Sequence, residues 1–116
     1  MQPTRFALVR ALLLALLCVG AQADVRVERG RALLAQYQCG SCHTIPGVAS
    51  SRARVAQPLD AWSLRSYIAG RLPNRQEVLA RWIVAPQSLV PGTAMPSMGV
   101  APADAQAMAA YLFTLE

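Results

Sequence analysis

Apolar positions along this chain recur mostly at helical spacing. Gly30, Leu33, Leu34 and Tyr37 share one face of an amphipathic helix read from Val25 to Tyr37. Gly30 costs helix propensity in that interior, which predicts the close approach of a second helix there. Val78, Leu79, Trp82 and Ile83 form a second stripe that stops before Pro86. Asn74 is placed to cap that helix, with Glu77 three residues on as a partial capping box. Leu64 to Arg71 reads as a short helix ended by Pro73-Asn74. Ala105, Met108, Ala109, Leu112 and Leu115 stripe a last helix that starts at Pro102, a residue suited to a first turn. Pro46-Gly47 and Pro91-Gly92 mark turns, Ala49 to Gln57 reads as loop, and Met95-Pro96 as an extended stretch. There is no internal repeat and no strand-length alternation, so the class is all-α, built of short helices.

The first residues follow a different pattern. Phe6 to Val19 is mostly apolar, Arg5 and Arg10 supply positive charge, and Ala21-Gln22-Ala23 has the form of a signal cleavage site. The run is short for a membrane span, which takes about 20 residues. The expected organisation is a signal peptide over 1–23 and one small domain over 24–116, exported to the periplasm. The alternative is an uncleaved anchor holding the domain at the membrane, facing the periplasm. Cys18 falls in this segment, and Leu17 before it is too large for a lipoprotein signal, so Cys18 leaves with the signal.

Composition narrows the function. The formal net charge of +5 falls by two when Arg5 and Arg10 are removed, and every basic residue is arginine. That charge is too small and scattered for nucleic acid, though it suits weak steering toward an acidic partner surface. A domain of this size buries only about 65% of its unfolded surface and is marginal alone. The two cysteines left after export do not make a disulfide scaffold.

Both lie in Cys39-Gly40-Ser41-Cys42-His43, the attachment signature of a c-type haem. Positions i, i+3 and i+4 share one face of a helical turn. Cys39 and Cys42 therefore reach the two vinyl groups on one porphyrin edge, each adding its thiol across a vinyl to form a thioether, and His43 lies beneath the ring with a nitrogen toward the iron. A dithiol redox pair would follow a strand in a βαβ unit, and no strand pattern precedes this run. A zinc site would need a second pair of ligands, and His43 is the chain's sole histidine. A covalently held macrocycle would also supply much of the missing core.

A methionine sulfur is a soft ligand for the opposite face of the iron and raises the reduction potential. Three methionines follow the signal: Met95, Met98 and Met108. Met108 lies on the last helix's apolar face and reads as core. Pro96 pushes Met95 to an extended conformation after a Pro-Gly turn, holding its sulfur out from a loop. Met95 is therefore preferred, with Met98 the runner-up.

These features resemble a class I c-type cytochrome. The resemblance covers nearly all of 27–116 through Gly30 to Tyr37, CGSCHTIPG, YIAGRLPN, RWIVAPQSLVPGTAMP and AAYLFTL. The later blocks are most similar to the mono-haem domain fused to some bacterial cytochrome c oxidase II subunits. The resemblance implies a cytochrome c fold around one covalent haem c and electron transfer as the function. It implies crossed first and last helices, with Gly30 and Tyr37 against Ala109, Tyr111 and Leu112. It implies His43 and Met95 as iron ligands, and Arg65, Tyr67 and Trp82 near the haem propionates. The family usually has Gly-Pro-x-Leu after the haem motif, the proline carbonyl accepting a hydrogen bond from the proximal histidine. Here Gln57 stands at that proline, in Ala56-Gln57-Pro58-Leu59. Any residue offers a carbonyl, so the bond does not require proline.

The leading expectation is a periplasmic electron carrier, not an enzyme, passing electrons between a redox protein donor and acceptor in a respiratory chain. A second is a haem-bearing subunit docked to a terminal oxidase or a dehydrogenase complex. The third is a haem enzyme or sensor with an open iron position. The expected contact with membrane is through a partner complex or an uncleaved anchor.

Overall fold

The computed structural model describes residues 3–116, with side chains from Arg5 onward. The first two residues of the expected signal peptide lie outside the described residues. The helix α1 runs unbroken from Pro3 to Gln36. The expected apolar run and the helix from Val25 thus join, because the residues between them are good helix formers and Gly20 alone does not break a helix. Every residue from Arg5 to Arg26 is exposed. By length and composition this part of α1 can cross a membrane.

The C-terminal third of α1 does the packing. Leu33 and Leu34 are buried against the last helix, α4 (Pro102–Leu112), whose Ala105, Met108, Ala109 and Leu112 face the core. Gly30 sits at their closest approach. A Cβ there would fall on the Ala107 carbonyl oxygen, which is why the helix tolerates glycine at this point. Tyr37 donates its hydroxyl to Asp104 Oδ2 at 3.0 Å, and Arg29 pairs with the same carboxylate. The contacts of Gly30 and Tyr37 therefore lie nearer the start of α4 than the resemblance implies. Tyr111 instead donates to the Pro46 carbonyl at 2.6 Å, tying α4 to the loop after the cysteine motif.

That loop is held at several points. Thr44 bridges to Arg52, Ser51 Oγ accepts from the Ile45 amide at 2.7 Å, and Ser51 donates to the His43 carbonyl at 3.0 Å. Arg31 donates to the Gly47 carbonyl at 3.0 Å. The two bonds of Ser51 satisfy polar groups that burial would otherwise leave unpaired.

Leu64 to Arg71 is not a helix. The chain makes a 3₁₀ turn over Trp62–Leu64 and then a small antiparallel hairpin, β1 (Tyr67–Ile68) with β2 (Leu72–Pro73). Ala69 and Gly70 between them both have positive φ, 51° and 68°. The Arg71 amide donates to the Ile68 carbonyl at 3.1 Å and closes the turn around these two left-handed residues. Asn74 is not the cap of α2 (Gln76–Val84); Arg75 precedes that helix without a side-chain cap bond. The Asn74 amide donates instead to the carbonyls of Trp62 and Arg65, at 2.9 and 3.0 Å, closing the hairpin on the 3₁₀ turn. Pro86 ends α2 and at once begins a one-turn helix, α3 (Pro86–Leu89). The last helix ends at Leu112, and the Leu115 carbonyl beyond it accepts from the Ser63 amide at 2.9 Å. The result is a mostly helical shell with α1, α2 and α4 around one core.

Candidate functional site

The cysteine motif follows directly from α1. Gln38 turns into the left-handed region at φ 56°, a common helix stop, and Cys39–Ser41 form a single 3₁₀ turn. The His43 amide donates to the Cys39 carbonyl at 3.0 Å, so Cys39, Cys42 and His43 lie on one helical turn. Gly40 is buried with its α-carbon against the backbone of Ser50 and Ser51. A side chain there would collide with that loop, so the motif's inner residue has to be small.

These three side chains line one cavity of about 370 Å³, within the range of small-molecule and cofactor sites. Its walls are largely apolar, among them Leu34, Ile68, Leu79, Ile83, Val100 and Leu112. Met95, Met98, Arg65 and Trp82 line it as well. Met108 is fully buried in the core and also forms part of the wall, so packing and lining are one role for it. Tyr67 stands apart. It is exposed, and it borders a neighbouring cleft with Gln57, Pro58, Arg65 and Gly70.

The electrostatics of the motif argue against a reactive dithiol. Burial pushes the Cys39 thiol up, whereas redox-active cysteines are held low. Among the described residues, no group of three or more His, Cys, Asp or Glu side chains is placed to hold a metal ion between them. The imidazole is oriented for a different ligand. His43 Nδ1 lies 2.6 Å from the Gln57 carbonyl oxygen. A carbonyl only accepts, so Nδ1 carries the proton and Nε2 is left with its lone pair, the tautomer that binds iron. Gln57 therefore makes the bond that the family's proline carbonyl makes.

The loop carrying Met95 is also fixed. Gln87 Nε2 donates to the Met95 carbonyl at 2.6 Å, and Ser97 donates to the Val84 carbonyl at 3.1 Å. Both bonds pin the loop to the end of α2 and to α3. Met95 is half-buried against the core, while Met98 is exposed. Arg65 donates to the carbonyls of Pro58 and Asp60, and its guanidinium stacks 5.0 Å over the Trp62 ring. Trp62 was not legible as a site residue in the sequence. It is buried, lines the cavity, and its Nε1 has no hydrogen-bond partner among the described residues.

Two thiols, an oriented imidazole and an apolar cavity on one helical turn fit a covalently attached haem, and together they define a haem-bearing electron-transfer domain. The comparisons agree. The sequence model of the cytochrome c family matches residues 27–116, and the chain belongs to that family. It binds haem c covalently, with Cys39 and Cys42 at the spacing that attachment needs. Cytochrome c oxidase subunit 2 of Alkalihalophilus pseudofirmus is 33% identical over 94 residues, covering 80% of this chain and 27% of the relative. The chain thus spans about a quarter of the length of the curated relative it matches. No solved structure matches it.

Proposed function

We propose that this protein is an exported one-electron carrier whose haem is held between His43 and Met95. The observation that carries this reading is the shared cavity. The two thiols, the His43 ring and the half-buried Met95 all line it. The haem supplies the redox chemistry, an iron that alternates between ferric and ferrous states. The protein's part is to hold it. The Gln57 carbonyl fixes the His43 tautomer. The bonds from Gln87 and Ser97 restrain the Met95 loop, so little freedom remains to be lost on ligation. The apolar walls keep water from the ring. No acid–base group is needed for this task, and the reading is of a carrier rather than an enzyme.

In the same reading Ala21-Gln22-Ala23 is cleaved and residues 24–116 act in the periplasm as part of a respiratory chain. The match to an oxidase subunit favours a second arrangement, in which the domain docks on a terminal oxidase as a separate chain. Copurification of an oxidase after mild detergent extraction supports docking over free diffusion.

Met95→Ala and Met98→Ala test the ligand assignment. Met95→Ala is expected to open the iron to carbon monoxide and to lower the reduction potential, because the soft ligand that favours ferrous iron is gone. Met98→Ala is expected to leave the low-spin spectrum nearly unchanged. The reverse pattern would make Met98 the ligand.

A further inference from the structure

We propose that Arg65 is a positioning residue for His43: its guanidinium holds the peptide plane next to the Gln57 carbonyl and so fixes the bond that orients the imidazole toward the haem iron. The proposal rests on the haem reading above. It starts from the chain's departure from its family, in which a proline stands at the position of Gln57. A proline ring there would lock φ of the very residue whose carbonyl accepts from the histidine. Gln57 has no such ring and is exposed. Its carbonyl nevertheless lies 2.6 Å from His43 Nδ1, so something else in the chain sets its direction.

The restraint lies one residue later. The acceptor belongs to the peptide between Gln57 and Pro58. Two torsions, φ and ψ of Pro58, separate it from the peptide between Pro58 and Leu59. The Pro58 ring locks the first at about −65°. The second peptide is held on both edges. Its N–H, from Leu59, donates to the Thr44 carbonyl at 2.8 Å. Its carbonyl, from Pro58, accepts from Arg65 Nη2. With φ locked and that plane held, only ψ of Pro58 is left to swing the Gln57 carbonyl. On the other side the Ala56 amide donates to the Cys42 carbonyl at 2.9 Å, which ties the start of the segment to the haem motif.

Arg65 can act as the clamp because it is itself fixed. The guanidinium stacks 5.0 Å over the Trp62 ring, a favourable cation–π contact. Trp62 is buried, and its carbonyl accepts from Asn74 Nδ2 at 2.9 Å, so the stacking surface belongs to the turn that the hairpin closes. From there Nη2 reaches two carbonyls of the loop, those of Pro58 and Asp60, the latter at 3.0 Å. A planar guanidinium can hold both, whereas a lysine ammonium is a point charge on a flexible stem. The Asp60 carboxylate adds little, being largely exposed and 3.8 Å away. The restraint that the family places in a proline is thus shared here between Pro58 and Arg65.

The test is hydrogen exchange of the His43 ring N–H, read by NMR on the ¹⁵N-labelled ferrous holoprotein. Arg65→Lys keeps the charge and loses the fork; Arg65→Leu loses both. Each is expected to speed that exchange about tenfold, with the covalent haem retained by mass. The reduction potential of the lysine variant is expected to rise, because a weaker bond at Nδ1 makes the imidazole a less basic ligand. Adding Gln57→Pro to either variant restores a restraint at the acceptor itself and is expected to bring the exchange rate back near that of the parent protein. Exchange unmoved in the Arg65 variants would overturn the proposal. Faster exchange that Gln57→Pro fails to slow would overturn it too, since Arg65 would then act elsewhere than on this loop. Should Arg65→Leu fail to fold, Arg65→Lys with and without Gln57→Pro decides alone. A purified protein whose mass carries no haem would remove the haem reading itself, and this proposal with it.

Discussion

His43 shows how far single residues were legible. Its place after two spaced cysteines is a property of sequence, and so is the expectation that it turns one nitrogen to iron. That the other nitrogen meets the Gln57 carbonyl was legible through the family resemblance alone, since the partner lies 14 positions away in a loop without periodicity, and the fold supplies the 2.6 Å contact. Trp62 was silent in the sequence for a different reason. Whether an indole N–H ends up unpaired depends on what surrounds it, and no local pattern encodes that. The thiols are the most direct target at this scale. Cys39→Ala and Cys42→Ala are each expected to lose one thioether and shift the pyridine haemochrome band. The double variant is expected to lose haem on denaturing electrophoresis, and retention of haem there would contradict covalent attachment at this motif.

At the scale of elements, the long amphipathic patterns were the easiest to read. The stripe ending in Ile83 appears as α2 and the one read to Leu115 as α4, which stops at Leu112, because buried apolar faces dominate propensity in such segments. Leu64–Arg71 was misread because it carries no strong pattern, and Ala69 is an unusual occupant of a left-handed hairpin position. The capping role of Asn74 failed for a tertiary reason, since its amide serves two carbonyls of the preceding turn. Gly30 of α1 was legible in kind but not in partner. Gly30→Val is expected to force α1 away from the Ala107 backbone, at a cost of about 1–3 kcal/mol or more. Chemical denaturation of the holoprotein checks this as a fall in midpoint. A midpoint equal to that of the parent protein would mean that the α1–α4 contact is looser than described.

For the whole molecule, the domain and its leading helix pose separate questions. The family match begins at residue 27, within α1, and the exposed apolar part of that helix lies before it. Both a cleaved signal and a retained anchor have this appearance, so periodicity alone left the choice open. The signal reading predicts an exported protein that starts at Asp24 and partitions to the soluble fraction. Intact-mass measurement decides this, and a mass retaining Met1 to Ala23 in the membrane fraction would establish the anchor. The central claim, one covalent haem with both axial positions filled and one electron passed at a time, meets its most direct test in an optical redox titration of the purified exported protein, repeated under carbon monoxide. The account predicts a single reversible one-electron transition whose midpoint and reduced spectrum carbon monoxide leaves unchanged. A ferrous protein that binds carbon monoxide stoichiometrically would contradict it, because the sixth position would then be open and the protein built for ligand chemistry rather than electron carriage.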